Sequence, residues 1–169
     1  TRGRLMQELP AGSMLSVRLA ADRLSVRLTS SLAIASENGP SLSVVAGPTD
    51  AVGKLQSDLE VEGVVCRMLE TSHAFHSSMM EPILAPFGEV VRSIKLSAPA
   101  IPIVSTVTGD WMTPEQAVDP DYWTQHLRQT VRFRWVTLAA GLLFFAGSIY
   151  SIGFLPSGFI PKEDASRIV

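Results

Sequence analysis

The sequence predicts an α/β chain, in which an α+β unit is joined to part of a larger α/β layer and followed by one apolar helix. Three observations predict it. Between residues 12 and 70, short β-like runs alternate with helix-period runs in the order β-α-β-β-α-β. Further on, an amphipathic run from Met79 to Ile94 leads into the β-branched run Ile101 to Thr108. Finally, no Asp, Glu, Lys, Arg or His occurs from Trp135 to Pro161.

The 169 residues suffice for a sizeable core. Composition is apolar, with 46% hydrophobic against 18% charged residues and a mean hydropathy of +0.24, and the last stretch skews it. A net charge of -2 lacks the basic footprint of a nucleic-acid binder, so nucleic acid is not an expected partner. The single cysteine, Cys66, permits neither an internal disulfide nor a CxxC metal pair and reads as core filling. Thr1-Arg2-Gly3-Arg4 leads to Glu8 and Pro10 instead of an apolar run, so no secretory signal is expected, and the start without methionine reads as the middle of a longer protein.

In order, Met14 to Val17 reads as a strand and Leu19 to Thr29 as an amphipathic helix with Leu24 and Leu28 on one face. Leu32 to Ala35 and Leu42 to Ala46 form a hairpin about Glu37-Asn38-Gly39-Pro40, where Asn-Gly supplies left-handed backbone. Thr49 caps a helix that aligns Val52, Leu55 and Leu59, and Gly63 closes it before the strand Val64 to Leu69. This order, over residues 12–70, resembles a ferredoxin-like split βαβ unit. Ser78-Met79-Met80-Glu81 is a capping box opening a helix that buries Met80, Ile83, Leu84, Phe87, Val90, Val91 and Ile94. Ile101 to Thr108 reads as a buried strand, and Asp119-Pro120 starts a helix running through Leu127 to Val131. Trp135 to Phe154 is long enough, at about 1.5 Å per residue, to cross about 30 Å of hydrocarbon as a transmembrane helix. Arg128, Arg132 and Arg134 before it place the preceding part in the cytoplasm and the helix in the inner membrane.

The chemistry is concentrated in Thr71-Ser72-His73-Ala74-Phe75-His76-Ser77-Ser78, two histidines three apart ahead of a helix start. Taken alone, a His-x-x-His pair is ordinarily a loop feature, and no third ligand at a usual spacing makes it a zinc site. Together with Arg2-Gly3-Arg4-Leu5-Met6-Gln7, Ile34 to Gly47 and Trp123 to Phe133, however, the motif resembles the acyltransferase domain of modular polyketide synthases, similar to the malonyl-CoA:acyl carrier protein transacylases. The resemblance covers residues 1–133. It implies a partial hydrolase-like α/β subdomain with an inserted ferredoxin-like subdomain. The implied activity moves an acyl group, here malonyl, from coenzyme A to a serine and then to the phosphopantetheine thiol of an acyl carrier protein, with no bound metal or other cofactor.

By the same resemblance His76 is the general base, and Gln125 falls where the family presents a group that orients it. Arg2 holds the malonyl carboxylate, for which a planar fork of donors suits two oxygens. His73, Ala74 and Phe75 occupy the selectivity positions, His-Ala-Phe marking malonyl-selective domains; a Phe ring fills space that an α-methyl branch needs, a discrimination worth about 1–3 kcal/mol. The family's serine sits in Gly-His-Ser-x-Gly, and this chain contains no Gly-x-Ser-x-Gly, so the elbow is expected upstream of Thr1 and the chain alone is expected to be inactive. Residues 134–169, with Leu155-Pro-Ser-Gly-Phe-Ile-Pro-Lys-Glu-Asp164, resemble a transmembrane segment and exit loop of resistance-nodulation-division efflux pumps. The alternative reading is accordingly an efflux-transporter fragment carrying a soluble interaction module.

Overall fold

The computed structural model describes residues 1–152, with side chains described through Phe133 and again over 141–151. The chain separates into a unit of residues 1–136 and one of residues 137–169.

The first unit begins with a short helix, α1 (Arg2–Gln7), which local sequence pattern does not announce. Then follow β1 (Ser13–Val17), α2 (Ala21–Ser25), β2 (Ala33–Gly39), β3 (Leu42–Gly47), α3 (Thr49–Val61) and β4 (Cys66–Met68). The sheet order is β4-β1-β3-β2, extended at the β2 edge by β5 (Val131–Arg132). The pairings among the first four strands are antiparallel, as the split unit requires, and β5 joins β2 in parallel.

Side-chain alternation along the strands builds two cores. Leu15, Val17 and Val45 pack with Leu24, Val52, Leu55 and Leu59 from α2 and α3. Met14, Val44 and Ala46 face the other way and meet Ala35 and Ala74. That second face, away from α2 and α3, carries the histidine loop. Cys66 is half-buried against the first core, and burial, with the Glu60 charge added, pushes its thiol up from the ordinary value.

Several local expectations are corrected. The hairpin turn falls on Pro40 and Ser41, because Gly39 already pairs with Leu42, and positive φ among the described residues occurs only at Gly63, Gly109 and His76. Pro40 fixes its own φ near the value a common turn needs, so no left-handed residue is required. Helix α3 has Pro48 at its cap, and Thr49 Oγ1 instead shares a 3.0 Å hydrogen bond with Ser13. The capping residue of the next helix is Ser77, one earlier than expected, and its side chain accepts from the Met79 N–H. A 3-10 turn, Ser78–Ile83, precedes α4 (Leu84–Arg92), since Pro82 lacks an N–H to donate within the first turns. Glu81 pairs with Arg128 at 3.4 Å.

The expected strand Ile101 to Thr108 does not form. Its only pairing is an isolated bridge between Val104 and Trp111, and Ile101 is 76% exposed. Pro102 removes a ladder donor, and Ser105 folds the following residues into a turn by accepting from the Val107 and Thr108 N–H groups. Helix α5 (Pro114–Val118) carries a Thr113/Gln116 capping box, and α6 (Pro120–Gln125) ends well short of Val131, which enters β5 instead.

The membrane expectation is also corrected. Helix α7 (Arg134–Ile152) forms across the apolar stretch, but no helix among the described residues is long and apolar enough to cross a membrane. Its first residue is Arg134, Gly141, Gly147, Ser148 and Ser151 interrupt its apolar run, and residues 153 and 154 of the expected span lie outside the described residues. The expected exit loop, residues 155–164, lies outside them as well.

Leu15, fully buried, sits at the centre of the first core. Leu15→Ala is expected to cost about 2–5 kcal/mol in urea unfolding, whereas Val26→Ala, at a position 84% exposed, is expected to leave the midpoint nearly unchanged.

Candidate active site

The histidine loop is fixed from both ends. Its start is tied to the strand before β1 by the Gly12 N–H, which donates to the Ser72 carbonyl at 3.2 Å. His73 is buried; its Nε2–H donates to the Leu9 carbonyl at 3.1 Å, which leaves Nδ1 to accept from the Ser72 hydroxyl at 2.8 Å. Beyond His76, the fully buried Ser77 hydroxyl donates back to the Ala74 carbonyl at 2.6 Å. Between these ties His76 takes a φ of 60°, a conformation that a few per cent of non-glycine residues adopt and that costs about 1–3 kcal/mol.

The loop presents Phe75 and His76 to a cavity of about 450 Å³. Arg2, Gly3 and Met6 of α1 form one wall, Met14 of β1 with Ser36 and Asn38 of β2 form the floor, and Val131 and Phe133 close the β5 side. Of the selectivity positions only Phe75 lines this cavity. His73 is held behind it, and the fully buried Ala74 packs in the second core. Phe75 also touches both the second core and a third cluster of Leu9, Met80, Ile83 and Leu127, so its ring is braced on two sides.

His76 and Arg2 thus share one cavity. Burial lowers the His76 pKa from its ordinary value of 6.5; the neighbouring His126 and Arg2 cations act in the same direction, against the main-chain carbonyls of Gln129 and His126. Those carbonyls favour the protonated ring, yet the buried Nδ1 of His76 has no hydrogen-bond partner of normal geometry among the described residues. His126 itself is lowered by burial and by Arg2. The imidazole of His76 is therefore neutral at neutral pH and able to accept a proton.

Gln125 is not brought to His76. It is exposed at the end of α6, and its carbonyl accepts from the Arg128 and Gln129 N–H groups. The neighbours that act on His76 are instead His126, edge-on with ring centroids 6.0 Å apart at 80°, and the Gln129 main chain. Sequence reasoning missed both; with only three histidines in the chain, the third was the available signal. Among the described residues no group of three His, Cys, Asp or Glu converges to hold a metal ion.

The fold and cavity define a mixed α/β protein with a part-buried imidazole beside an arginine. The chain belongs to the acyl transferase domain family, whose family model matches residues 1–148. It is 38% identical over 133 residues to the mycoketide-CoA synthase of Mycobacterium tuberculosis, covering 78% of this chain and 3% of that protein. It is 40% identical over 137 residues to the polyketide synthase GfsB of Streptomyces halstedii, covering 78% and 2%. Among solved structures, the acyl transferase domain of SpnD, in complex with 2-(pent-4-yn-1-yl)malonyl, matches with a TM-score of 0.74 at 41% identity, over 78% of this chain and 32% of that one. The acyltransferase domain from the second module of the salinomycin polyketide synthase matches with a TM-score of 0.74 at 40% identity, over 86% and 34%. The chain therefore spans about a third of these solved domains and a small fraction of the curated relatives. The family match runs on to residue 148, past the break expected at Phe133, so residues 134–148 fall within it and are not assigned to an efflux segment.

Depressed folded-state pKa values mean that the folded chain binds fewer protons than the unfolded chain as pH falls below 6.5. The stability that His76 and His126 contribute is present above that pH and lost on acidification through their folded values. The urea midpoint is expected to fall between pH 6.5 and the carboxylate range, and to fall less in His76→Asn, since Asn tolerates the same positive φ. A midpoint that rises on acidification in this window contradicts the burial of a neutral imidazole.

Proposed function

We propose that the chain is the base-bearing part of a malonyl-selective acyltransferase domain of a polyketide synthase, residues 1–133 carrying that role. The observation that supports this best is the shared cavity, in which a neutral His76 and the cationic Arg2 stand beside Phe75. The substrates are a coenzyme A thioester and the phosphopantetheine thiol of an acyl carrier protein, met in the cytoplasm. No metal or redox group is needed for the transfer.

His76 takes the proton of the serine hydroxyl as the oxygen attacks the thioester carbonyl, and the resulting imidazolium returns that proton to the departing coenzyme A thiolate. In the second half, His76 takes the proton of the carrier thiol as sulfur attacks the acyl-serine ester, and the serine leaves with it. Arg2 pairs with the free carboxylate of the malonyl group. That pairing also cancels a cation that disfavours imidazolium, so substrate binding strengthens the base. Phe75 restricts the space beside the α-carbon and biases the site against a methyl branch by about 1–3 kcal/mol. The serine of Gly-His-Ser-x-Gly is absent from the sequence, so this polypeptide alone holds base and carboxylate clamp without the nucleophile.

Malonyl-CoA is expected to move the His76 imidazole signal in proton NMR, and acetyl-CoA, without the carboxylate, to leave it in place. Arg2→Lys is expected to weaken malonyl-CoA binding by about 1.5–3 kcal/mol, the worth of a hydrogen bond to a charged group. Intact-mass measurement after incubation with malonyl-CoA and a carrier protein is expected to show no acyl adduct on this chain and none on the carrier. A signal that ignores malonyl-CoA, or acyl loading on this polypeptide, overturns the reading.

A further inference from the structure

Strand β5 stands between two cavities. Side chains alternate along a strand, so Val131 and Phe133 line the cavity that holds His76, while Arg132 between them lines a separate one. That cavity, of about 540 Å³, is completed by Arg128, Gln129 and Thr130 from the segment after α6 and by Thr108 from the turn that follows Ser105. The main chain around it is tied down. The Arg132 N–H donates to the Thr106 carbonyl at 2.6 Å, and the Arg128 and Gln129 N–H groups donate to the Gln125 carbonyl at 2.9 and 3.0 Å. The Thr130 hydroxyl donates to the Ile34 carbonyl at 2.7 Å, which makes Thr130 a wall of the cavity instead of a donor into it.

The charged side chains lining this cavity are both cationic. Arg128 is partly offset by Glu81, whose carboxylate lies 3.4 Å from its Nε, but among the described residues no carboxylate pairs with Arg132. Glu37, opposite Arg132 in the β2–β5 register, lines a different cavity with Asp22 and Ser25. The Asp110 carboxylate is engaged by the Trp111 N–H at 2.7 Å. The Asp110 N–H donates to Thr108 Oγ1 at 3.3 Å, which leaves the Thr108 hydroxyl proton for an acceptor. Two guanidinium forks and a hydroxyl offer more donors than the two oxygens of a carboxylate use, and they suit the several oxygens of a phosphate group. We propose that this cavity is a phosphate-binding site, with Arg132 and Arg128 as its charged donors and Thr108 as a neutral one. Inorganic phosphate and the phosphate of an organic ester share that chemistry. The proposal does not rest on His76 as a base, because β5 separates the two cavities.

The test is binding to the full chain, read by calorimetry and by the amide resonances of Thr108, Arg128, Gln129 and Arg132. The probes are inorganic phosphate and phosphopantetheine, with pantetheine and acetate as controls that carry no phosphate. The phosphate-bearing probes are expected to bind and to move those resonances, and the controls to leave them in place. Arg132→Gln is expected to weaken binding by about tenfold or more, the loss of a hydrogen bond to a charged group. Arg23→Gln, at an exposed arginine on α2, is expected to bind as the parent chain does. Equal affinity for the two probes assigns the site to free phosphate, and tighter binding of phosphopantetheine assigns it to an ester; either result upholds the proposal. Arg128→Gln also removes the partner of Glu81, so where that variant lowers the urea midpoint the exposed Arg132 decides. No binding of either probe, an affinity that pantetheine matches, or equal affinity in Arg132→Gln and Arg23→Gln overturns the proposal. Malonyl-CoA leaving the His76 signal in place sinks the base reading alone.

Discussion

The site depends on a close approach between Gly12 and Ala74. A Cβ at residue 12 would lie 2.8 Å from the Ala74 Cβ, closer than side-chain carbons approach, and a tight 3.1 Å from the Gly47 carbonyl. With glycine there, the histidine loop lies directly on the strand before β1, where the Gly12 N–H reaches the Ser72 carbonyl. Ala74 becomes part of the core under the sheet, and Phe75 and His76 are carried into the cavity beside it. The positive φ of His76 is held in place by these surroundings. His73 anchors the loop before it and Ser77 after it, so the backbone cannot relax to a commoner conformation without breaking buried hydrogen bonds.

The electrostatics of the cavity differ from those of a serine-histidine-carboxylate arrangement. There a buried carboxylate stabilises the imidazolium as it forms. Here burial acts first on His76, with a second imidazole and a guanidinium also opposing protonation, and the main-chain carbonyls of Gln129 and His126 favouring it. Burial, the second imidazole and Arg2 together hold the His76 imidazole neutral in the cavity.

Much of the fold was legible in local pattern. The 3 and 4 spacing of Val52, Leu55 and Leu59 located α3, and alternating short apolar runs located the strands whose order β4-β1-β3-β2 the structure shows. The His-Ala-Phe-His motif located the loop that lines the cavity. What the pattern did not disclose depended on competition between local and distant partners. Ile101 to Thr108 is β-branched enough for a strand, but Pro102 and the Ser105 turn keep it out of the five-stranded sheet. Apolar periodicity carried α6 too far, because Leu127 and Val131 are buried in different places, one in the third cluster and one beside the cavity. Gln125, placed by the family resemblance, is exposed at the end of α6. His126 could be counted as a third histidine but not placed, since its ring meets that of a residue fifty positions away.

The described ties that hold the histidine loop come from within the first unit: Gly12 donates to the Ser72 carbonyl, Leu9 holds His73, and Ser77 returns to the Ala74 carbonyl. His76 lies between the last two, so its positive φ is set by hydrogen bonds that flank it. The backbone geometry that brings the imidazole into one cavity with Arg2 is thus supplied by residues of this unit.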